Sequence, residues 1–471
     1  KKEGEVMDSE SETQPIHSSL YVLEIDSSEG NKAKELKLWK FSRPHMRSFH
    51  FAWFGFFCAF LAWFSFAPLM PTIKEDLDLT DSEIWTANIC SVASTIICRF
   101  AIGPLCDSIG GRWCMGATLM LFSIPVCTGG FVVKNGVDLA LVRFFIGPIG
   151  SVFVPCQYWT SSMFTRKVAG TAQAIAAGWG NLGGGVAQFF MVSLYKVLKG
   201  SGDGEIAWRY SFVFPAVIIF VVGLCIILFT DDSPMGQYKQ LQESGQIEKT
   251  EPKSAFKEAS LTCDSWILFV QYGCCFGIEL TINNMAAIYF TEVFGLSVFD
   301  AGITASAFGL MNLFARPLGG ILSDAVHNKM DGWNRSHRLR GRIFIHSAFL
   351  LYEGIMLICF SWCKKIEVAI FVLILFSLGV QAAAGTTFAL VPYVKKDVTG
   401  AVSGIVGAGG NVGAVLWGLI FRYRPKYQTD QESLLILGII VIVSSFLSVF
   451  LKFSKERFRS NDSKNLIKNS I

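Results

Sequence analysis

Apolar runs of about 20 residues recur along almost the whole 471-residue chain, and that recurrence restricts the fold more than any other feature. A run of this length crosses the ~30 Å hydrocarbon core of a bilayer as a helix. Backbone polar groups in lipid must be satisfied internally, so only helices and closed barrels span it. These runs are too long and too evenly apolar for barrel strands, which alternate over about ten residues. With 52% hydrophobic and 17% charged residues, the chain reads as an all-α membrane protein. Expected spans are 48–73, a second ending near 105, then 113–133, 138–163, 168–198 and 208–229. A second set follows at 265–290, 300–322, 342–363, 366–393, 399–421 and 433–453. That makes twelve helices in two sets of six, with both termini on one side.

Polarity supplies the boundaries. Residues 1–44 are polar and mixed in charge, without an apolar signal core, and read as a disordered tail. The N-terminal half is then 45–230, a polar linker 231–263, the C-terminal half 264–453 and a second tail 454–471. Arg112, Arg166, Lys167, the 335–342 stretch, Lys395, Lys396 and both tails put the Lys/Arg excess on one side, read as cytoplasmic. Lys364, Lys365, Arg422, Arg424 and Lys426 run against that bias.

The sharpest signal is charge where charge is costly. Arg99 lies inside an apolar helix, eight residues before Asp107, which is roughly 12 Å of helix. With Asp107 at the membrane surface, Arg99 reaches mid-bilayer, where insertion of an arginine costs about 2.5–3.5 kcal/mol. The segment Arg316-Pro-Leu-Gly-Gly320-Ile-Leu-Ser-Asp324 repeats the arrangement, 217 positions later for both arginine and aspartate. Arginine does not shed its proton to escape burial. Two intramembrane guanidiniums therefore call for an anion, and a planar fork of donors suits a planar oxyanion held through two oxygens. A second echo pairs Gly180-Asn181-Leu182-Gly183 with Gly410-Asn411-Val412-Gly413, offset by 230. Two six-helix halves repeated in the same sense, with the site where they meet, are a recurrent transporter design.

Other classes lack their signatures. The net charge of +4 is small and dispersed, which gives no basis for nucleic-acid binding. There is no phosphate-binding glycine loop, nucleophile elbow or zinc-type Cys/His spacing, so neither an enzyme nor a metal or other cofactor is expected. Most of the thirteen cysteines, Cys58, Cys98, Cys127 and Cys225 among them, sit in apolar runs and read as small hydrophobes.

On the seventh helix Tyr272, Phe276, Glu279 and Asn283 share one face. An aromatic stripe bearing an acid and an amide predicts a polar cavity. Glu279, like Glu353 in helix nine, is a rare acid within a span and a candidate carrier of a coupling proton, the plainer reading being that it balances an arginine. Gly180, Gly184, Gly409 and Gly413 read as close helix packing. Asn181 and Asn411, amides at matching places in both halves, read as substrate or gating contacts.

The loop from Gly103 through Asp107 to Arg112 resembles the helix 2–3 motif of the major facilitator superfamily, with Gly111 where its first arginine stands. Arg143-x-x-x-Gly147 resembles the motif associated with proton-coupled members. The segments Ala177–Gly185 and Gly407–Gly413 resemble the paired signatures of the nitrate/nitrite porter family. Phe41-Ser-Arg-Pro-His-Met-Arg47, Cys156-Gln-Tyr-Trp159 and Gly277-Ile-Glu-Leu280 are similar to its algal and plant high-affinity members. The resemblance implies a twelve-helix, two-half major facilitator fold. It further implies nitrate, with nitrite, held between Arg99 and Arg316 and sandwiched by Phe153, Tyr272 and Phe276, with import by proton symport through the plasma membrane. Gly103, Asp107, Arg112, Arg143 and Asp324 would serve gating. Some relatives work with a small single-span accessory protein, which joins nitrate, nitrite and protons as an expected partner. The alternatives are a nitrate/nitrite exchanger or other small-anion antiporter of the same fold, and a membrane nitrate sensor.

Overall fold

The computed structural model describes residues 22–200, 204–245, 252–329, 335–395, 398–423 and 429–452. Among the described residues eleven helices are long and apolar enough to cross a membrane. In the first half they are α1 (His45–Asp76), α2 (Asp81–Ile109), α3 (Gly111–Val132) and α4 (Gly136–Met163). A twelfth, α5 (Arg166–Lys199), is 34 residues long and less apolar, and α6 (Ile206–Phe229) closes that half. The second half comprises α7 (Cys263–Phe294), α8 (Val298–His327), α9 (Leu339–Ser361), α10 (Ile366–Val394), α11 (Thr399–Arg422) and α12 (Asp430–Phe450). The chain is a multi-pass membrane protein of the expected all-α architecture.

The modest hydropathy of α5 has a packing cause. A Cβ at Gly183 would stand 2.0 Å from the Phe57 carbonyl oxygen, and one at Gly185 would stand 2.5 Å from the Gly309 backbone. This helix lies against α1 of its own half and α8 of the other, and only small residues permit that approach. Gly413 packs equally closely on Gly273, so α11 on α7 repeats α5 on α1. By contrast α3 and α6 leave Leu121, Ile124, Val217 and Phe220 exposed, as lipid-facing helices require.

Breaks in the helices fall where the sequence puts them. Pro68 and Pro71 follow the end of the first α-helical stretch at Trp63, and α1 continues through a 3-10 turn and a second helical piece. Thr80 with Glu83, and Thr429 with Glu432, form capping boxes at the starts of α2 and α12. The α2–α3 turn is made by Gly110 at φ +87°, which a side chain rarely adopts. All thirteen cysteines are free.

One expectation about a polar segment needs correction. Residues 22–44 are not a disordered tail: Ile25–Asp26 (β1) and Lys32–Ala33 (β2) pair antiparallel. Ala33 is fully buried and its carbonyl accepts the Thr165 N–H at 2.9 Å. Leu23 and Ala33 supply the apolar anchor that offsets the polar composition. The linker also docks. Its helices Tyr238–Glu243 and Pro252–Ser260 lie on the ends of α2 and α11, through Tyr238 Oη donating to the Asp107 carbonyl (2.9 Å) and Phe256 stacking edge-on with Phe100. Residues 1–21 and the tail 454–471 lie outside the described residues.

Candidate substrate site between two arginines

Helix α4 is interrupted by a 3-10 segment, Gly147–Val152, carrying Pro148. The changed hydrogen-bond pattern leaves the Gly150 carbonyl turned to Arg99, which donates to it from Nε (3.2 Å) and Nη2 (2.8 Å). Nη1 of Arg99 donates across to the Gly407 carbonyl on α11 at 2.6 Å. Arg99 is thus fully buried, with backbone carbonyls as its acceptors among the described residues.

Helix α8 has a corresponding break, the 3-10 turn Met311–Leu313. Arg316 follows it, fully buried between glycines. A Cβ at Gly385 would stand 2.4 Å from the Arg316 carbonyl oxygen, and one at Gly178 would stand 3.3 Å from the arginine Cβ. Its Nη2 is ion-paired with the Glu279 carboxylate, and its Nε donates to Asn312 Oδ1 at 3.1 Å. Asn312 Nδ2 donates in turn to the other Glu279 oxygen at 2.7 Å. The Arg316 Nη1 atom is buried without a hydrogen-bond partner. Of the two arginines, Arg99 is therefore the one without an acidic neighbour among the described residues. Glu279 is the ion-pair partner of Arg316.

The predicted aromatics meet here. The Arg99 guanidinium lies 5.1 Å from the Phe153 ring centre and 5.2 Å from that of Phe276, while Arg316 lies 5.5 Å from Phe276. Phe276 stands between the two cations, within cation–π range of both. Phe153, Tyr272 and Phe276 are mutually stacked, with interplanar angles of 14–21°. Phe388 closes the stack edge-on, 4.6 Å from Phe153. With Arg99, Arg316 and Glu279 ionised, the cluster carries one net positive charge between flat apolar walls. Such a site suits a small, flat, monovalent anion.

Asn181 and Asn411 flank this cluster without bonding to either arginine. Asn181 donates to Ala177 in its own helix (2.8 Å) and Asn411 to the Val92 carbonyl (3.4 Å). Each leaves a buried Oδ1 without a partner. Their neighbours Gly180 and Gly410 let Phe56 and Phe276 press against the helix backbones.

The remaining predicted residues sit at the two ends. Asp107 accepts from the Ala401 N–H at 3.1 Å, at the start of α11, and Asp324 accepts from Thr171 Oγ1 at 2.6 Å, at the start of α5. Asp107 thus sits on the N-terminal turn of α11, where the helix dipole favours negative charge, while Asp324 reaches a side chain in the second turn of α5. Gly103 permits the approach, since a Cβ there would stand 2.9 Å from the Gly400 carbonyl oxygen. Arg112 is paired with Asp232 (2.8 Å) and Asp324 with Arg342 (2.6 Å). Burial raises the Asp232 carboxyl above its ordinary pKa, while Arg112 opposes that shift. At the other end Arg143 donates to Asn88 (3.0 Å) in its own half and to Asn284 (2.9 Å) in the other. Two small cavities open beside it and share Trp85, Asn88 and Asn284, leading inward toward Val92 and Thr281.

Gly150, Asn312, Gly385 and Phe388 do not stand out from sequence, and Gly178 and Gly407 do so only as members of the segments Ala177–Gly185 and Gly407–Gly413. Asn312 carries a usable signal, since it stands four residues before Arg316 and shares its face. The others act through carbonyl position or absence of a side chain, which residue type alone does not disclose.

Residues 52–418 match the model of the Major Facilitator Superfamily. The chain is 38% identical to "High affinity nitrate transporter 2.5" of Arabidopsis thaliana, across 90% of this chain and 83% of that one. It is 38% identical to "Nitrate transporter 2.2" of Chlamydomonas reinhardtii, across 92% and 84%. A more distant relative, the nitrate/nitrite transporter NrtP of Nostoc punctiforme, is 28% identical across 89% and 94%. Among solved structures, a bacterial homolog of the human lysosomal transporter Spinster superposes with a TM-score of 0.61 at 14% identity, across 87% of this chain and 97% of that one. That likeness concerns the fold alone. The chain belongs to the nitrate transporter family of the major facilitator superfamily.

Proposed function

We propose that this protein imports nitrate, and nitrite with it, by alternating access around Arg99 and Arg316, driven by protons. The observation that carries the reading is the buried Arg99, bonded to carbonyls rather than to an acid, beside an Arg316 that keeps one donor atom unpartnered. A nitrate ion between them would take the planar donors of both guanidiniums while the aromatic rings stack on its faces. Phe276 has to rotate from between the cations for this to happen. The single excess positive charge favours a monovalent anion over a dianionic phosphate ester, which argues against an organophosphate antiporter.

One proton per anion makes import electroneutral, and a second would let an inside-negative potential drive it, since each charge is worth about 2.3 kcal/mol per 100 mV. Asp107 and Asp324 would hold one end shut by capping the opposite half, and Arg143 with Asn284 would bridge the other. On this reading the protein lies in the plasma membrane, with both termini cytoplasmic. An accessory single-span protein would add to that assembly without entering the site.

The test is Arg99→Lys. Lysine keeps the charge but loses the fork that reaches Gly150 and Gly407 together. Charge-assisted hydrogen bonds contribute about 1.5–3 kcal/mol each, so nitrate affinity should fall ten- to hundredfold in labelled-nitrate uptake. Uptake with an unchanged KM and rate would refute the role given to Arg99.

A further inference from the structure

Glu353 lies midway along α9 and is fully buried, and neither of its carboxyl oxygens has a hydrogen-bond partner. This contrasts with Glu279, whose two oxygens are taken by Arg316 and Asn312. The residues around Glu353 offer no compensating charge. On its own helix the neighbouring titratable groups are Tyr352, His346 and Arg342, and Arg342 is already paired with Asp324 of α8. From α7 it feels Cys274, Cys275 and, at longer range, Glu279. From α10 the facing residue is Gly379, whose missing side chain lets that helix close on the Glu353 backbone. At Gly354 the partner helix α12 presents Gly438 and Ile442. Among the described residues no cation reaches it.

An ionised carboxylate so enclosed, without cation or donor, is costly. A buried acid that the anion site does not use, and that has no structural partner, suits a group loaded and unloaded with a proton. Seven residues away on the same face, His346 meets Thr386 (2.9 Å) and Gln271 (3.2 Å), and Gln271 donates to Ser448 (2.7 Å). This places a polar network between Glu353 and the Asp324–Arg342 pair.

We infer that Glu353 binds a coupling proton, in the interior of the C-terminal half and apart from the anion site. The inference rests on the proposed nitrate transport. A proton from the side to which the protein is open adds to the Glu353 carboxylate. After the halves rock it leaves to water on the opposite side, restoring the carboxylate. Glu279 links the two events electrostatically. An anion arriving at Arg316 competes with Glu279, and the added negative charge favours a proton on Glu353.

The experiment uses the full-length protein in liposomes, with labelled nitrate counterflow at equal pH and a pH dye inside the vesicles. Wild-type protein should show nitrate counterflow and nitrate-linked proton entry. Glu353→Gln should keep counterflow within about twofold, since Glu353 lies outside the anion site, and lose at least tenfold in nitrate-linked proton entry. Glu353→Asp should retain proton entry with a shifted pH dependence. Undiminished proton entry per nitrate in Glu353→Gln overturns the inference. So does loss of counterflow together with proton entry in both variants, the mark of a structural role. Absence of proton entry in a wild-type protein that counterflows nitrate also overturns it and leaves nitrate transport standing, whereas absence of wild-type counterflow removes the transport reading itself.

Discussion

Replacing Glu279 with glutamine should tighten nitrate binding and slow transport, a combination that an ion pair serving only to hold α7 against α8 would not produce. In the structure Glu279 neutralises Arg316 and is steadied by Asn312 at 2.7 Å. A nitrate ion engaging Arg316 competes with that carboxylate. Opposite charges about 4 Å apart interact by roughly 4 kcal/mol at an effective dielectric near 20. Glutamine keeps the shape but removes the competitor, so the cluster passes from one net positive charge to two. Losing one partner of a buried pair destabilises a protein by about 3–5 kcal/mol, and a bound anion restores part of that. Recovery of only about 1.4 kcal/mol corresponds to tenfold tighter binding. The assay is nitrate-dependent thermal stabilisation of the purified protein, which follows RT ln(1 + [L]/Kd). Without nitrate the Glu279→Gln variant should melt earlier than wild type. Saturating nitrate should raise its midpoint by more, with half-effect at about a tenth of the wild-type concentration. Uptake should fall, because the anion leaves slowly when no carboxylate returns to displace it. Equal or weaker nitrate binding by this variant would refute the competition between carboxylate and anion.

The ends and the walls of the site give two further tests. A Cβ at Gly400 would stand 2.6 Å from the Asp107 carboxylate, so Gly400→Ala should weaken the closed state at that end. A cysteine placed nearby should then become more accessible to a water-soluble thiol reagent, and unchanged labelling would count against Asp107 as a gate. Phe276→Ala removes a fully buried ring from between the guanidiniums, so the empty protein should lose about 3–5 kcal/mol of stability, and nitrate filling the space should restore part of it, as melting with and without nitrate will show.

The helices, the two halves and the two arginines are readable in the sequence because they rest on period, length and charge, which survive without coordinates. The site's charge state is not. In the sequence Glu279 and Arg316 lie 37 positions apart, and nothing local says that they touch. Arg99 has no acid within helical reach, and the fold brings none to it among the described residues. The order of residues 22–44 is hidden for a different reason: a short polar hairpin buries few groups of its own and is held by what it docks on, Phe164 and Thr165. The linker helices are hidden likewise, since Arg112 and Asp232 identify each other only once the fold brings them together.

The repeat itself shows why one arginine of the site is paired with an acid and the other is not. Phe56 and Phe276 occupy equivalent places, each pressed on the glycine before the matching amide of the repeat, Gly180 or Gly410. Counting three residues on from each aligns Ala59 with Glu279. Counting four back from each arginine aligns Thr95 with Asn312. Thr95 spends its hydroxyl on the Gly147 carbonyl at 2.6 Å, whereas Asn312 bonds both Arg316 and Glu279. The second half thus neutralises its arginine and the first does not. The ends behave oppositely, since Asp107 on α11 and Asp324 on α5 preserve the symmetry. The division has a physical rationale. In a transporter that rocked between two states of similar energy, matched contacts at the ends would serve that motion, and a single excess positive charge at the centre would suit a monovalent anion. Installing a carboxylate by Ala59→Glu should therefore cancel the remaining charge and abolish nitrate binding. Retention of wild-type affinity in that variant would separate anion recognition from the net charge of the site.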